Sequence, residues 1–456
     1  MKNIKIWNLL QFLGVSIVLL CSFFIEGINQ DTVELLGSIG SNRLIIETKD
    51  NYINNKNIGF TENEVAQFTD KVKYNETLFT LPFTTDIKAN SNTIYTKALA
   101  VNSCYKRFAD IHIVKGSFLT EKQESNKEKV LVIGEETALK LFKSTDIIGM
   151  NISIMNEDFK IVGINKERDS FLSKLFKGKE PQIYIPLKTI FTINEDITIP
   201  CLQISISNEY NSIQNEKAVV KLLDKMGKSQ SNYKIIDCRV FEKQNLQMIK
   251  LIIFVFGILI ILHILKTQVK ILRTIFSTIK EKYNSQYFLK SIKLYEKIFL
   301  CLILRLLFLI TSIYVIIQAI KFHFYIVHKS SNNIINYYLS PIIDNILNIG
   351  ASKLFSTNII NFSIFTINCI FVFGILLGSL LIFTSFYFLK HGDFSSYKPL
   401  LFFSISYILS LISASMIINI FKLPIIINTK LVIIIFIFIF LKNISIINRS
   451  KHTTIY

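Results

Sequence analysis

The sequence lacks the short motifs with which most enzymes bind nucleotides or metal ions. No GxxxxGK[ST] loop, no HExxH and no GxSxG occurs in its 456 residues, and these motifs supply phosphate cradles, zinc ligands and serine nucleophiles. The histidines are scattered, and the closest two, His323 and His328, have no acidic neighbour. We therefore predict a chain that is not an enzyme by itself and has no catalytic residue, cofactor site or metal site.

Cysteine is scarce, and no two cysteines have the CxxC spacing of a zinc or redox site. Three cysteines lie in apolar runs and three in a polar stretch: Cys21, Cys301 and Cys369, then Cys104, Cys201 and Cys238. Because an odd number of thiols cannot pair completely, we expect free thiols in the polar stretch. One disulfide among its three cysteines is the alternative.

Acidic residues are also few, 33 against 51 Lys and Arg, which leaves a formal net charge of +18. On many proteins such a charge indicates nucleic-acid binding. Here the basic residues lie largely beside long apolar runs, and they form no compact Arg-rich patch with interleaved aromatics. This placement indicates membrane topology rather than nucleic-acid recognition.

The long apolar runs occur at the start of the chain and in its last two-fifths. A helix needs about 20 mostly apolar residues to cross the membrane. Six segments are predicted to do so: about 7–25, 249–265, 299–320, 364–389, 400–421 and 431–447. The first could instead be a cleaved signal peptide, but the small-residue exit is missing after Ile25, so we expect a retained helix. The last two could instead form one interfacial hairpin.

The orientation follows from the segment Lys266–Lys297, which carries eight basic and two acidic residues. Basic residues in short connections face the cytoplasm, so both chain ends lie inside and the polar stretch lies outside a bacterial cell membrane. The predicted segments are a first helix (1–27), an extracytoplasmic domain (28–247), a second helix (248–266), a basic cytoplasmic loop (267–298), a helical bundle (299–447) and a cytoplasmic tail (448–456).

The polar stretch alternates strand and helix patterns. Residues 129–133 (KVLVI) read as a buried strand, and 135–143 as a helix with one apolar face. Residues 151–155 and 159–164 read as two strands around a turn. A last strand at 233–240 leads into a helical pattern that meets the second membrane helix without a breaker. These patterns predict an α+β domain.

The order of these segments resembles a known family. VLVIGEETALKLF (130–142), DIIGMNISI (146–154), FKIVGI (159–164) and IYIPL (183–187) look like the extracytoplasmic core domain of MacB/FtsX-like ABC transporter permeases. The resemblance covers about residues 30–245 and the helix–domain–helix layout. It implies an α-helical membrane protein with an inserted α+β extracytoplasmic domain of two lobes. One lobe would come from both ends of the region, and the other, about 111–195, would be inserted.

The resemblance also implies a permease subunit, a homodimer or paired permease, that works with a separate ABC ATPase. ATP would be bound by that partner, and its hydrolysis would move the outer domain. The work could be export of a peptide or antibiotic, release of lipoproteins, or control of a cell-wall enzyme. The alternative hypothesis is a membrane-anchored receptor or immunity protein that binds an extracellular ligand without an ATPase.

The chain departs from this family in two ways. It has six predicted membrane helices where the family usually has four. The segment 270–286 (KILRTIFSTIKEKYNSQ) lacks the Gly-Ala pair of the family's REIGILRALGAS-like sequence. Candidate residues for coupling to the ATPase are Lys270, Arg273, Lys280 and Lys282. A basic loop that only sets topology is the alternative.

Gly374 and Gly378 form a small-xxx-small pair in the fourth predicted membrane helix. Such pairs allow two helices to approach closely. The pair is therefore a candidate packing site, either within one bundle or across a dimer interface.

Overall fold

The computed structural model describes residues 2–48, 52–53, 56–57, 59–71, 76–89, 92–166, 168–175, 182–206, 212–283, 296–321, 357–390 and 398–453. The predictions for residues 284–295 and for His323 and His328 lie outside this set.

The polar stretch folds around one large mixed sheet. Its strands are β1 (Arg43–Thr48), β4 (Thr77–Ala89), β5 (Asn92–Val101), β6 (His112–Gly116), β7 (Val130–Gly134), β8 (Asn151–Ile154), β9 (Glu157–Lys166), β10 (Ile183–Pro186), β11 (Cys201–Ser205) and β12 (Tyr233–Asp237). The order in the sheet is β12-β1-β11-β4-β5-β10-β7-β9-β6, with β8 paired to β4 and β9. A separate short pair is formed by β2 (Tyr52–Ile53) and β3 (Lys56–Asn57).

Short helices complete this domain: α2 (Glu62–Lys71), α3 (Tyr105–Phe108), α4 (Glu121–Ser125), α5 (Glu135–Phe142), α6 (Phe171–Leu175), α7 (Leu187–Ile193) and α8 (Ser212–Lys225). The strands from both ends of the region lie on one side of the sheet, and the strands of the inserted segment lie on the other. The long hairpin β4–β5 joins the two lobes. One buried apolar core extends through both, from Leu44 and Leu202 to Ile133 and Ile161.

The remaining elements are long helices: α1 (Lys2–Leu35), α9 (Cys238–Tyr283), α10 (Glu296–Ile320), α11 (Thr357–Lys390), α12 (Lys398–Ile420) and α13 (Thr429–Thr453). Five of them contain a described stretch long and apolar enough to cross a membrane. In α10 the apolar stretch found among the described residues is shorter, Leu306–Ile320. A total of six spanning helices therefore stays a prediction.

The end of the outer domain differs from the sequence prediction. The last strand was expected to reach Val240, but it ends at Asp237 and helix α9 begins at Cys238. The carboxylate of Asp237 accepts a hydrogen bond from the backbone N–H of Arg239 at 3.0 Å. Side-chain acceptors of this kind satisfy the free N–H groups of a helix start, so the strand stops where Asp237 begins to cap the helix.

The second membrane helix is also longer than predicted. It was expected to end at residue 266, with a loop from 267, but α9 continues unbroken to Tyr283. Its 46 residues contain no proline and only one glycine. The residues after Lys266 include more polar side chains, which are less suited to the membrane. None of them breaks the helix, because polar residues other than proline and glycine are tolerated in a helix.

Helices α1 and α11 pack closely at three glycines. A Cβ added to Gly378 would lie 2.8 Å from the carbonyl oxygen of Gly14 and 2.8 Å from Cγ2 of Val18. One added to Gly374 would lie 2.6 Å from Sγ of Cys21. The pair that the sequence singles out therefore lies against α1 of the same chain, where it removes the side-chain bulk that would separate the helices.

We expect Gly378→Leu to destabilise the bundle by about 1–3 kcal/mol, the usual effect of overpacking. A matched control is Thr384→Leu, because Thr384 lies on the exposed face of the same helix. The measurement is the thermal unfolding of the purified full chain in detergent. Equal midpoints for the two variants would contradict close α1–α11 packing.

Candidate functional site

The two helices that connect the membrane to the outer domain meet its sheet at the same place. Strand β1 follows α1, and strand β12 precedes α9; the two strands pair antiparallel, with Leu44 opposite Asp237. We call this meeting point, residues 35–43 with 237–242, the stalk junction. The Ser41 hydroxyl donates to the Glu242 carboxylate across it, and Arg239 pairs with Asp237 at 2.9 Å.

Arg43 holds the centre of the stalk junction. Only 1% of its surface is exposed. Its guanidinium donates to the carbonyl oxygens of Leu36, of Gly40 at 2.8 Å and of Phe108 at 2.7 Å, and to Oε1 of Gln203 at 3.1 Å. One side chain thus fastens the end of α1 to β1, α3 and β11.

Burial lowers the pKa of the Arg43 guanidinium to about 10, so it stays charged at neutral pH. A buried cation is costly unless its donors are satisfied. The four recorded acceptors are uncharged oxygens, and the ring of Phe108 lies 5.1 Å from the guanidinium carbon. Removing the side chain would leave several of these oxygens without a donor, which is more costly than losing a surface contact.

The turn between α1 and β1 is fixed from the other side by α3. Gly37 has φ +65°, and a Cβ there would lie 2.8 Å from the backbone nitrogen of Ala109 and from the carbonyl oxygen of Arg107. The Ile39 N–H donates to Arg107 O at 3.1 Å, and the Asp110 N–H donates to Leu35 O at 3.2 Å. Glycine is therefore needed at position 37 for conformation and for space.

The inserted lobe contacts α1 directly through α6 and the residues before it. Asp31, 1% exposed, accepts a hydrogen bond from the backbone N–H of Leu172 at 3.1 Å. Arg168 pairs with Glu34 of α1 and with Asp110 at 3.4 Å. Both lobes of the outer domain are thereby connected to the first membrane helix.

The connection between α12 and α13 reaches the same place. The ring of Phe421 packs edge-on against Phe24 of α1 at 5.3 Å and against Phe171 of α6 at 5.9 Å. Lys422 forms an ion pair with Asp169. The hydrogen bond from Lys422 lowers the pKa of the Asp169 carboxyl, and the same bond raises the pKa of Lys422.

The other side of this connection contacts α1. A Cβ added to Gly27 would lie 3.1 Å from the carbonyl oxygen of Pro424. Nδ2 of Asn428 donates to Oε1 of Glu26 at 3.0 Å. The connection between α12 and α13 thus supports α1 where it leaves the membrane.

Polar pairs inside the bundle fix α1 to three other helices. Gln11 and Asn443 of α13 exchange two amide hydrogen bonds, at 3.3 and 3.1 Å. Asn368 of α11 donates to Asn29 at 3.0 Å. The hydroxyls of Ser16 and Ser410 of α12 lie 3.0 Å apart. Hydrogen bonds between membrane helices are worth about 0.6–2 kcal/mol each, so together they specify the position of α1.

The sequence-predicted coupling residues lie on one helix. Lys270, Arg273 and Lys280 are exposed towards the far end of α9, and the first two lie at the end of its apolar stretch Leu246–Thr274. Lys282 belongs to the same helix, and its side chain lies outside the described set. Sequence reasoning missed Arg43, Asp31 and Arg168, because a single ionic residue at a strand start, near a helix end or in a loop has no periodicity.

Among the described residues, Cys104, Cys201 and Cys238 are free thiols, as expected. Burial raises the pKa of Cys201 and of Cys104, which disfavours the reactive thiolate. Within the residues that the structure describes, no group of three His, Cys, Asp or Glu side chains is suited to a metal ion.

Comparison with known families decides what the domain is. Residues 12–223 match the sequence profile of the MacB-like periplasmic core domain. This chain carries such a domain. With its flanking membrane helices the chain resembles the MacB-like ABC transporter permeases. The predicted resemblance, the fold class and the multi-pass membrane location with an extracytoplasmic domain are confirmed.

Two curated relatives match part of the chain. One is the pyoverdine export ATP-binding/permease protein PvdT of Pseudomonas aeruginosa, 27% identical over 139 residues, 29% of this chain and 20% of that protein. The other is the uncharacterized ABC transporter permease YvrN of Bacillus subtilis, 26% identical over 132 residues, 28% of this chain and 32% of that protein. The aligned parts thus span a third or less of these relatives.

Two solved structures are similar to the outer domain. The periplasmic region of MacB from Actinobacillus actinomycetemcomitans aligns with 45% of this chain and 94% of its own, at 15% identity and a TM-score of 0.38. The extracellular domain of the transporter YknZ from Gram-positive bacteria aligns with 43% and 100%, at 16% identity and a TM-score of 0.35.

We expect Arg43→Met to destabilise the stalk junction by about 3 kcal/mol, because buried carbonyl oxygens lose their donor. Arg43→Lys should recover only part of the lost stability, because an ammonium group cannot reach four acceptors in the planar arrangement of a guanidinium. The measurement is amide hydrogen exchange of β1 and β11 in the full chain.

The matched control is Arg107→Met. Arg107 pairs with Glu76, but 61% of its side chain is exposed. Its removal should therefore lower the free energy of opening, as measured by amide exchange, by less than about 1 kcal/mol. Equal protection in the Arg43→Met and Arg107→Met variants would show that Arg43 does not hold the junction.

The Asp169–Lys422 pair predicts a dependence on pH. A lowered carboxyl pKa contributes stability above the ordinary Asp value, near about 4, and this contribution is lost as the pH falls through the folded value. The raised Lys422 pKa contributes stability that is present below the ordinary Lys value and is lost only as the pH rises through the folded value. We expect Asp169→Asn to lower the melting temperature slightly at pH 7, and this difference to shrink as the pH falls below the ordinary Asp value. A difference that does not shrink on acidification would exclude this pair as its origin.

Proposed function

We propose that the chain is the permease subunit of an ABC transporter and that it transmits the force of ATP hydrolysis by a partner subunit to its extracytoplasmic domain. The observation that carries this proposal is the continuity of α9. At 1.5 Å per residue its 46 residues measure about 69 Å, more than twice the ~30 Å hydrocarbon layer. One helix thus connects the outer sheet to the cytoplasm.

The connections at the outer end support transmission rather than a flexible tether. Helix α9 starts one residue after β12, and α1 is fastened to β1 by Arg43. A displacement of either helix would therefore move the paired strands β1 and β12 together. A loop at either point would instead absorb the displacement.

At the cytoplasmic end, the partner would hold the nucleotide, since the sequence has no phosphate-binding loop. Lys270, Arg273 and Lys280 are exposed there and form a basic face of α9. We propose that this face contacts the ATPase. The name of the relative PvdT combines an ATP-binding and a permease part in one chain, whereas this chain would take the two from separate subunits.

We further propose that the driven movement serves export or release of a molecule at the outer face of the membrane. The name of PvdT refers to export. Most of the described residues outside the helical bundle belong to the two-lobed outer domain. The choice among peptide export, lipoprotein release and control of a cell-wall enzyme depends on the partner of that domain.

The test is co-purification of a phosphate-loop ATPase with the full chain from native membranes. We expect the triple variant Lys270→Glu, Arg273→Glu and Lys280→Glu to lose most of the bound ATPase, because three charges change sign on one exposed face. The matched control places the same change at Lys390 and Lys398, the ends of α11 and α12.

Retention of the ATPase by the triple variant would contradict the assigned face. If the unmodified chain captures no ATPase, a receptor or immunity protein without an energy source becomes the better description.

A further inference from the structure

Helix α6 belongs to the inserted lobe, but it packs into the membrane bundle. Leu172 is fully buried, and it belongs to the same apolar cluster as Phe24 of α1 and Leu423 after α12. The ring of Phe171 lies edge-on to Phe24 at 6.2 Å and to Phe421 at 5.9 Å. This part of the inserted lobe therefore shares its hydrophobic core with helices that cross the membrane.

These contacts place α6 at the level of the outer membrane surface. The apolar stretch of α1 extends over Ile6–Leu35, which at 1.5 Å per residue is about 45 Å long. A bilayer measures about 40–45 Å when its headgroup regions are included. Phe24 and Asp31, which contact α6, both lie inside this stretch. The apolar stretch of α12 ends at Ile420, next to Phe421. Helix α6 therefore lies at the depth of the lipid headgroups.

Several large apolar side chains are exposed at this level. Leu175 is 48% exposed, and it follows Phe171 by four residues, so the two share one side of α6. Phe421 is 44% exposed, and Ile425 and Ile427, in the connection between α12 and α13, are 47% and 49% exposed. Apolar side chains gathered on a surface mark a contact with a membrane or with another protein. At headgroup depth the membrane covers them, as it covers the apolar side chains of segments that lie in its interface.

Basic side chains border these apolar ones. Nζ of Lys174 lies 3.0 Å from Oδ1 of Asp169, and Lys422 pairs with the same carboxylate. All three side chains are about half exposed. Because two cations share one anion, one positive charge of the group is not compensated within it. Lys430, at the start of α13, adds a further exposed cation. Anionic lipid headgroups have the complementary charge.

We propose that the inserted lobe rests on the outer leaflet of the membrane through α6, with Leu175 in the lipid and with Lys174 and Lys422 beside anionic headgroups. The lobe then has two supports, the contacts of α6 with the bundle and the lipid surface itself. The inference goes beyond the proposed function, because it needs neither an ATPase nor a transported molecule and depends only on the extracytoplasmic location of the domain. A movement of the lobe away from the membrane would expose Leu175 to water, so the lipid composition would influence that movement.

The first experiment uses the unmodified full chain in nanodiscs that contain a lipid with a photoreactive diazirine in its acyl chain, near the headgroup. After illumination, mass spectrometry locates the labelled peptides. We expect adducts on Phe171–Leu175 and only background on α5, Glu135–Phe142. Helix α5 is the matched control, because its Leu139 is exposed to nearly the same extent as Leu175, 47% against 48%. Equal labelling of the two helices, or no adduct on α6, would overturn the proposal.

The second experiment measures tryptophan emission of the variants Leu175→Trp and Leu139→Trp in nanodiscs of lipid with brominated acyl chains. Trp7 is the single tryptophan of the sequence, so the unmodified chain gives the background. We expect brominated lipid to quench most of the added emission of Leu175→Trp and to leave that of Leu139→Trp unchanged. Iodide in the aqueous phase should have the opposite effect.

The two quenchers together separate the possible surroundings of α6. Quenching of Leu175→Trp by iodide but not by brominated lipid would place α6 in water and overturn the proposal. Protection from both quenchers would show that protein covers Leu175, which would overturn it as well.

The role of charge is tested by adding Lys174→Gln to Leu175→Trp. We expect the added change to weaken quenching by brominated lipid in nanodiscs that contain anionic lipid and to have no effect in zwitterionic nanodiscs. The matched control is Lys140→Gln, because Lys140 is 55% exposed on α5 and Lys174 is 54% exposed. The same quenching with Lys174→Gln as with Lys140→Gln in anionic nanodiscs would reject the assigned contact between Lys174 and the headgroups.

Discussion

The structure depends on one buried cation. Arg43 is placed where the first membrane helix becomes the first strand of the outer domain, and its donors satisfy carbonyl oxygens of the turn after α1 and of α3. A guanidinium suits this position because its planar group of donors reaches several acceptors at once. Since these oxygens would otherwise be buried without a partner, the end of α1 has one low-energy arrangement on the sheet. This arrangement of α1 on the sheet sets the direction in which the outer domain leaves the membrane.

The membrane side of the molecule is specified by polarity and close packing rather than by hydrophobicity. Lipid is as apolar as leucine, so burying apolar side chains does not by itself choose a helix neighbour. The choice is made by Gly14 against Gly378 and by the amide pair Gln11–Asn443. The connection between α12 and α13 then contacts both α1 and the inserted lobe, so these two helices join the bundle to the outer domain.

Much of the fold could be predicted from the sequence because it depends on local patterns. The apolar runs, the strand at 130–134 with its following helix, and the unbroken helix into the second span each follow from periodicity or from the absence of breakers. The hairpin β4–β5 and the strand order depend on pairing between distant segments, which periodicity does not encode. Arg43 and Asp31 were missed for the same reason: burial turns an ordinary charged residue into a structural one, and burial is a tertiary property.

Force can reach the outer domain only if α9 is stiff across the membrane boundary. The most direct measurement is the distance between spin labels at Lys243 and Thr274, both exposed on α9, by electron–electron double resonance in lipid nanodiscs. An unbroken helix gives one narrow distribution centred at about 46 Å, and this distribution does not change when a partner ATPase binds ATP. A broad or shorter distribution would show a hinge inside α9 and would contradict transmission through it.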